Sequence, residues 1–205
     1  MDYTLYLVTD RLLARNRSIE ETVVEAIKGG VTVVQLREKE LTTREFLHQA
    51  FALKELTDSL STPLIVNDRL DIALACGAAG VHLGQDDMEC VVARRIGGTS
   101  LIIGVSVSTL SEALQAEREG ADYLGISPVF STATKTDAPP PIGLEGLNRI
   151  RREVRLPLVG IGGINTSNAA DVVRAGANGV AVVSAIMASS DPCLAARELR
   201  SALKK

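Results

Sequence analysis

The stretch that decides the fold is Val33-Val34-Gln35-Leu36-Arg37-Glu38-Lys39, in which a run of apolar, strand-forming residues ends in charge. The pattern returns in Leu64-Ile65-Val66-Asn67-Asp68-Arg69 and in Val81-His82-Leu83-Gly84-Gln85-Asp86-Asp87. A last run, Val180-Ala181-Val182-Val183-Ser184, ends on a hydroxyl. Continuous Val, Ile and Leu are typical of strands covered on both faces, which indicates a parallel sheet flanked by helices. Ligands of such sheets bind beyond the carboxyl ends of the strands, so these polar residues predict a site for phosphate and a divalent metal.

Apolar runs and helical segments alternate along the whole chain. The predicted strands cover residues 5–9, 33–37, 64–67, 80–83, 101–106, 123–127, 158–161 and 180–184. Between them, Ser18-Ile19-Glu20-Glu21 has the spacing of a capping box that begins a helix. Strand–helix units of roughly 25 residues are the rhythm of a compact (β/α)8 barrel. A doubly wound open sheet is the alternative, but eight units favour closure, so we predict an α/β fold with residues 1–205 forming a single (β/α)8 TIM barrel.

The bulk composition excludes several classes of protein. A chain of 205 residues is long enough for one buried core and short for two domains. The net charge of -3, with 3% aromatic residues and no Trp, argues against a nucleic-acid binder. No apolar run approaches the length of a membrane span, and no signal peptide is visible. The three cysteines are scattered and lack metal-ligand spacing. We therefore expect a cytoplasmic protein without a membrane or nucleic-acid partner.

Glycines and a hydroxyl follow the last two predicted strands. Gly162 and Gly163 come after strand seven, and Ser184 ends strand eight. In barrel enzymes the loops after these strands often bind phosphate with backbone N–H groups, which glycine lets approach closely. The other interpretation is that the glycines only form a tight turn. Because the two loops occur together in a predicted barrel, we favour the phosphate site.

Two aspartates end neighbouring strands. Asp68 follows strand three and Asp87 follows strand four, and Arg37 and Lys39 follow strand two. Two carboxylates that face one cavity repel each other unless a proton or a cation lies between them. Mg²⁺ usually binds through one or two carboxylates together with substrate phosphates. Either aspartate alone could cap a helix, but the group favours a metal and a diphosphate. His82 lies within an apolar strand, where a core histidine with satisfied hydrogen bonds is expected.

The connection over residues 130–143 is unusually long for a compact domain. It follows strand six and therefore overhangs the edge of the barrel where ligands bind. We interpret it as a lid that closes over the site.

Seven motifs, taken together, resemble the thiamin phosphate synthase family. They are Gln35-Leu36-Arg37-Glu38-Lys39, Asn67-Asp68-Arg69, His82-Leu83-Gly84-Gln85-Asp86-Asp87, Gly104-Val105-Ser106, Pro128-Val129-Phe130, Thr132-Ala133-Thr134-Lys135 and Gly162-Gly163-Ile164. The match to the family runs in order from about Leu5 to Ala188, which is essentially the whole chain. The resemblance implies a Mg²⁺-dependent transferase that couples hydroxymethylpyrimidine diphosphate with thiazole phosphate, giving thiamin phosphate and pyrophosphate. Ser127 and Ser131 depart from the pattern, since the family commonly has Gly and Pro there.

The resemblance also implies a role for each matching residue. The pyrimidine diphosphate would be held by Gln35, Leu36, Arg37, Glu38, Lys39 and Asn67, with Ser106 and Lys135 contacting the pyrimidine or its diphosphate. The thiazole phosphate would be held by Thr132, Ala133, Thr134, Gly163, Val183 and Ser184. Asp68 and Asp87 would bind Mg²⁺. The residues expected to act in catalysis are Arg37, Lys39, Ser106 and Lys135.

The chemistry of such a coupling fits this set of residues. An aminopyrimidine stabilises a methylene cation, so pyrophosphate can leave before the thiazole nitrogen attacks, and no covalent nucleophile is needed. Two alternatives stay open: a thiazole tautomerase of the same superfamily, and a non-catalytic barrel that binds a phosphorylated metabolite. The intact Asn67-Asp68-Arg69 and Asp87 disfavour the tautomerase. A homo-oligomer is compatible with the sequence, which does not decide the assembly state.

Overall fold

The computed structural model describes residues 1–14, 17–132 and 140–204. Its strands pair in parallel and in sequence order, and β1 pairs with β8, so the sheet closes into a barrel. The strands are Leu5–Val8 (β1), Val33–Leu36 (β2), Leu64–Asn67 (β3), Gly80–Leu83 (β4), Ile102–Val107 (β5), Tyr123–Ile126 (β6), Leu158–Ile161 (β7) and Gly179–Val182 (β8). The predicted (β/α)8 barrel is confirmed.

Helices follow the strands around the outside of the barrel. They are Ile19–Lys28 (α1), Thr43–Ser59 (α2), Leu70–Cys76 (α3), Cys90–Gly97 (α4), Leu110–Arg118 (α5), Gly143–Glu153 (α6), Ala169–Arg174 (α7), Ser184–Met187 (α8) and Pro192–Ala202 (α9). None of the helices in the described ranges is long and apolar enough to cross a membrane.

The predicted end of the last strand was wrong. Strand β8 ends at Val182, and Ser184 is the first residue of the short helix α8. The apolar run continues through Val183, but the backbone there leaves the extended conformation, with φ -113° and ψ -83°. An apolar run alone does not distinguish a buried strand from the start of a buried helix. The consequence is that Ser184 lies at a helix start rather than in the sheet.

The predicted capping box at the start of α1 is present. The Ser18 hydroxyl accepts a hydrogen bond from the Glu21 backbone N–H at 3.0 Å, and the Glu21 carboxylate accepts one from the Ser18 N–H at 2.9 Å. Each bond satisfies a backbone donor that has no partner within the helix. This defines where the chain turns from the first loop into α1.

The strands form two separate cores, because successive side chains point to opposite faces of the sheet. Side chains such as Leu7, Val34 and Leu36 are fully buried between the strands and the helices. The barrel interior is a second apolar cluster, formed by Tyr3, Tyr6, Val8, Val33, Ile65, Tyr123, Val159 and Ala181. The polar side chains that face inward therefore lie above this apolar interior, at the carboxyl ends of the strands.

Candidate active site

A cavity of about 770 Å³ opens at the carboxyl ends of the strands. Its lining includes residues predicted for the site in the loops after β2, β3, β4, β7 and β8 and in the upper part of β5. The predicted residues that line it are Gln35, Arg37, Lys39, Asn67, Asp68, Asp87, Ser106, Thr132, Gly163, Val183 and Ser184. The closed sheet thus brings together groups that are far apart in sequence.

Two of the predicted residues do not line this cavity. Leu36 is fully buried in the layer between the strands and the helices. The Glu38 carboxylate forms an ion pair with Arg11 at 3.1 Å. Both follow from side-chain alternation, which turns Leu36 and Glu38 to the face opposite Gln35 and Arg37. The predictions for Ala133, Thr134 and Lys135 lie outside the described residues, as does most of the interpretation of residues 130–143 as a lid.

Asp68 and Asp87 interact directly at one end of the cavity. Burial alone would raise the pKa of Asp68, but hydrogen bonding to Asp87 and the adjacent Lys39 ammonium outweigh it, so this pKa is lowered. The pKa of Asp87 is raised, first by burial and then by its bond to Asp68. The two carboxyls thus influence each other's ionisation, and the ionised pair brings two negative charges close together.

The backbone around each aspartate holds its carboxylate in place. Asp68 has a left-handed conformation, with φ 64°, which aspartate tolerates better than most residues. Its N–H donates to the His82 carbonyl at 2.8 Å, which extends the pairing of β3 with β4. Asp87 Oδ2 accepts a hydrogen bond from the Gly84 N–H at 2.7 Å. The loop after β4 thus folds back and keeps the Asp87 side chain beside Asp68.

The two carboxylates fit a divalent cation. A cation between them would offset the repulsion of the two ionised carboxylates. No group of three or more His, Cys, Asp or Glu ligands occurs among the described residues. Two protein carboxylates with the remaining positions left to water and phosphate oxygens is the arrangement typical of Mg²⁺. The donor set therefore suits Mg²⁺ better than a metal that needs three or four protein ligands.

Lys39 and Arg37 supply positive charge beside the aspartates. Lys39 Nζ lies 2.5 Å from Asp68 Oδ2, and its side chain is half exposed. Arg37 approaches Asp10 at 3.8 Å, which is a loose contact. Both residues line the cavity. The Arg37 contact is long and the Lys39 side chain is half exposed, so both cations are available to an anionic ligand.

The other end of the cavity is formed by the loops after β7 and β8. Gly162 and Gly163 have positive φ angles of 102° and 62°. A Cβ atom on Gly163 would lie 2.5 Å from the Ser131 carbonyl oxygen, so this close approach excludes any side chain. Ser184 and its N–H begin α8, and the first N–H groups of a helix have no partner inside it. This end presents a hydroxyl and backbone donors that suit a phosphate group.

The floor of the cavity contains residues that sequence reasoning missed. Tyr6 and Tyr123 both line it, and their hydroxyls lie 2.9 Å apart. His82 was predicted as a core histidine, and its ring nitrogens contact Tyr123 and Ser106 at 2.9 Å each. Burial lowers the pKa of His82 to about 4, so the ring is neutral at pH 7. Inward alternation in β1 and β6 was the signal that could have identified the two tyrosines.

Comparison with known proteins agrees with this geometry. Residues 5–186 match the family described as Thiamine monophosphate synthase. The chain is 57% identical over 201 residues to Thiamine-phosphate synthase of Chloroflexus aurantiacus, covering 98% of this chain and 93% of the relative. It is 55% identical over 196 residues to Thiamine-phosphate synthase of Albidiferax ferrireducens, covering 96% and 90%.

Solved structures agree as well. Thiamine phosphate pyrophosphorylase from Pyrococcus furiosus superposes with a TM-score of 0.92 at 45% identity, covering 99% of this chain and 96% of that one. A 3-Hexulose-6-Phosphate Synthase superposes with a TM-score of 0.72 at 20% identity, covering 97% and 99%, which shows a shared fold only.

Proposed function

The chain belongs to the thiamine monophosphate synthase family, and from that membership we propose how its cavity performs the coupling reaction. The enzyme transfers the pyrimidinylmethyl group of hydroxymethylpyrimidine diphosphate to thiazole phosphate, and the products are thiamin phosphate and pyrophosphate. The bond from the pyrimidine methylene carbon to the diphosphate oxygen breaks, and a bond from that carbon to the thiazole nitrogen forms. The assignments of metal, substrate positions and residue roles below are our proposal.

The observation that carries the proposal is the Asp68–Asp87 pair. Its carboxyls interact and have pKa values shifted in opposite directions, so a divalent cation is the natural partner of the fully ionised pair. Bound Mg²⁺ would neutralise charge on the departing pyrophosphate. A tautomerase or a metabolite-binding barrel needs no such pair beside two cations.

The diphosphate would lie between the aspartate pair and the cations of the β2 loop. Lys39 contacts Asp68 at 2.5 Å and is half exposed, so its ammonium can turn to a phosphate oxygen while Asp68 binds the cation. Arg37 offers a planar guanidinium that can contact two phosphate oxygens at once. Charge neutralisation at these oxygens lowers the barrier to bond cleavage. Lys135 would add a third cation from the loop after β6.

The thiazole phosphate would occupy the opposite end of the cavity. Gly163 and Ser184 line this end, where the Gly163 backbone would approach the phosphate and Ser184 would donate its hydroxyl hydrogen. Val183 and Thr132 also line the cavity and would contact the ring and the ethyl phosphate chain. This arrangement fixes the thiazole by its phosphate, so the ring nitrogen faces the pyrimidine methylene carbon across the cavity.

We further propose that the chain acts as one catalytic unit in the cytoplasm. Cys76, Cys90 and Cys193 are free thiols, which supports a reducing compartment. The resident cation would be Mg²⁺, because the available ligands are carboxylate oxygens.

The proposal is tested by removing one carboxylate at a time. Asp68→Asn and Asp87→Asn each replace a ligand at nearly constant volume. The thiamin phosphate formation rate at limiting Mg²⁺ should fall by at least about 10- to 100-fold, a loss typical even for residues that only support metal ligands. Calorimetric titration of Mg²⁺ in the presence of pyrophosphate should show the same loss.

Asp86→Asn is the matched control. Asp86 belongs to the same loop as Asp87 and lines the same cavity, so its substitution removes the same charge. Asp86 is exposed, however, and does not pair with Asp68. Full activity and Mg²⁺ affinity in both Asp68→Asn and Asp87→Asn would refute the metal assignment. A wild-type enzyme that isomerises the thiazole but forms no thiamin phosphate would instead favour the tautomerase.

A further inference from the structure

Five side chains form one continuous hydrogen-bonded chain across the barrel, here called the floor chain: Gln35, Tyr6, Tyr123, His82 and Ser106. Each of the four contacts measures 2.9 Å. These residues come from β2, β1, β6, β4 and β5, so the floor chain crosses the barrel interior from one wall to the other. Both ends reach residues that line the cavity.

The packing around the floor chain leaves its members little freedom. Tyr6 and Tyr123 are each 1% exposed. A Cβ atom on Gly104 would lie 2.1 Å from Tyr123 Cζ, and one on Gly125 would lie 3.0 Å from His82 Cε1. Two inward strand positions therefore lack side chains, and the rings of Tyr123 and His82 occupy that space. Buried polar groups held this tightly must satisfy each other.

The hydrogen bonds of the floor chain can run in two directions, and the contact of Gln35 with Tyr6 corresponds to one of them. With Gln35 Nε2 as the donor, the Tyr6 oxygen accepts its hydrogen bond. In this direction Tyr6 donates its single hydroxyl hydrogen to the Tyr123 oxygen, which lies 2.9 Å away. Tyr123 then donates its hydrogen to Nδ1 of His82. Each of the two tyrosine hydroxyls thus accepts from one neighbour and donates to the next.

The far end of the floor chain is set by the protonation of His82. In this direction Nδ1 accepts a hydrogen bond from Tyr123, so the ring hydrogen of His82 is on Nε2. Nε2–H then donates to the Ser106 oxygen at 2.9 Å. The Ser106 hydroxyl hydrogen has no other recorded acceptor among the described residues, and Ser106 lines the cavity. Ser106 therefore presents a hydrogen-bond donor to the bound substrate.

We propose that Tyr6, Tyr123 and His82 are positioning residues that determine which hydrogen-bonding atoms Gln35 and Ser106 present to the pyrimidine substrate. The inference rests on the proposed function and deepens it. With Nε2 of Gln35 held by Tyr6, its Oε1 is the acceptor directed to the ligand, and Ser106 supplies the donor. An acceptor on one wall and a donor on the other match an aminopyrimidine, which has an amino group that donates and ring nitrogens that accept.

Reversing the floor chain would reverse both ends at once. If the Gln35 amide flipped, Tyr6 would donate to Oε1, Tyr123 to Tyr6, and His82 Nδ1–H to Tyr123. Ser106 would then donate its hydroxyl hydrogen to Nε2 of His82 and offer only lone pairs to the cavity. The two directions thus present opposite patterns to the pyrimidine, and they differ in which nitrogen of His82 carries hydrogen.

The tautomer of His82 measures the direction without any turnover. The chain has only two histidines, and His48 is exposed on α2, so His48→Gln leaves a single imidazole. In this variant, long-range ¹H–¹⁵N correlation spectra of ¹⁵N-histidine protein should show neutral His82 with hydrogen on Nε2. Hydrogen on Nδ1 in the wild-type floor chain would overturn the proposed direction.

Removing single hydroxyls tests the positioning role. Tyr123→Phe interrupts the floor chain and leaves His82 Nδ1 without its donor, so the tautomer population should change. The value of kcat/KM for the pyrimidine diphosphate should fall about tenfold, the effect of one lost hydrogen bond, while KM for thiazole phosphate stays unchanged. Tyr6→Phe should lower the same kcat/KM but keep the His82 tautomer, because Tyr123 still donates to Nδ1.

Tyr3→Phe is the matched control. The Tyr3 ring lies 4.7 Å from the Tyr123 ring and is also buried, but its hydroxyl is not part of the floor chain. Tyr3→Phe should therefore change neither the His82 tautomer nor kcat/KM for the pyrimidine diphosphate. Equal effects of Tyr3→Phe and Tyr123→Phe, or KM values rising together for both substrates, would indicate a merely structural role and overturn the proposal. Absence of coupling in the wild-type enzyme would refute the proposed function, whereas the His82 spectrum would still test the floor chain.

Discussion

Replacing Gly163 by alanine tests whether the loop after β7 forms the phosphate end of the cavity. The control is Gly77→Ala, because Gly77 has almost the same left-handed backbone, φ 67° against 62°, but no atom within 4 Å of an added Cβ. It ends α3, on the side of the barrel away from the cavity. The two substitutions therefore share the backbone cost and differ in what the new methyl group meets.

The expected magnitudes follow from these contacts. A left-handed conformation costs alanine roughly 1–2 kcal/mol, and the reduced entropy of the unfolded chain returns about 0.4–1 kcal/mol. Gly77→Ala should therefore destabilise by about 1 kcal/mol. In Gly163→Ala the new methyl group would also lie 2.5 Å from the Ser131 carbonyl oxygen and 2.9 Å from Phe130 Cβ. Such overpacking costs about 1–3 kcal/mol more.

The assays are thermal unfolding and steady-state kinetics on both variants. A difference of about 2 kcal/mol corresponds to a Tm lower by about 4–8 °C for Gly163→Ala than for Gly77→Ala in a chain of this size. The KM for thiazole phosphate should rise on the order of tenfold in Gly163→Ala, while Gly77→Ala leaves it unchanged. Equal Tm in the two variants would refute the argument that Gly163 has no room for a side chain, and equal KM would refute its place at the phosphate end of the cavity.

Three further predictions address other parts of the molecule. Ser184→Ala should weaken the binding of thiazole phosphate by about 1.5–3 kcal/mol, because it removes one hydrogen bond to an anion. Wild-type affinity in calorimetry would show that the phosphate does not bind at Ser184. His82 has a folded pKa of about 4, below its ordinary 6.5, so its contribution to stability is complete above pH 6.5 and is lost as the pH falls toward 4. Over that pH range, the free energy of unfolding measured with urea should fall by about 3 kcal/mol more in the wild-type protein than in His82→Gln. Parallel pH dependences in the two proteins would contradict this. Gly104→Ala would place a methyl group 2.1 Å from Tyr123 Cζ, so it should destabilise by about 1–3 kcal/mol or more and disturb the tautomer of His82; a stable variant with an unchanged spectrum would show that the ring has room to move.

Local patterns in the sequence were sufficient to predict the barrel. Alternating apolar runs and helical segments report burial and periodicity, which are properties of neighbouring residues. They predicted seven strands to within one residue at each end, and they located Asp68 and Asp87 at the ends of adjacent strands. Parallel strands bring their carboxyl ends to one edge, so the position of the cavity followed from the same pattern.

Strand ends and side-chain direction were less well predicted. The apolar run through Val183 hid the start of α8 at Ser184, because hydrophobicity does not distinguish a buried strand from a buried helix start. Leu36 and Glu38 were grouped with their neighbours by motif, but alternation turns both away from the cavity.

Only the closed tertiary structure decided how distant polar groups meet. Tyr6 and Tyr123 are 117 residues apart, and their hydroxyls come within 2.9 Å because β1 and β6 face each other across the barrel interior. The opposite pKa shifts of Asp68 and Asp87 likewise require both carboxyls and Lys39 to converge within a partly buried volume. Sequence determined which residues reach the open edge of the sheet. Their partners depend on barrel closure and strand register, since hydrogen-bond distances are set by the positions of all eight strands together.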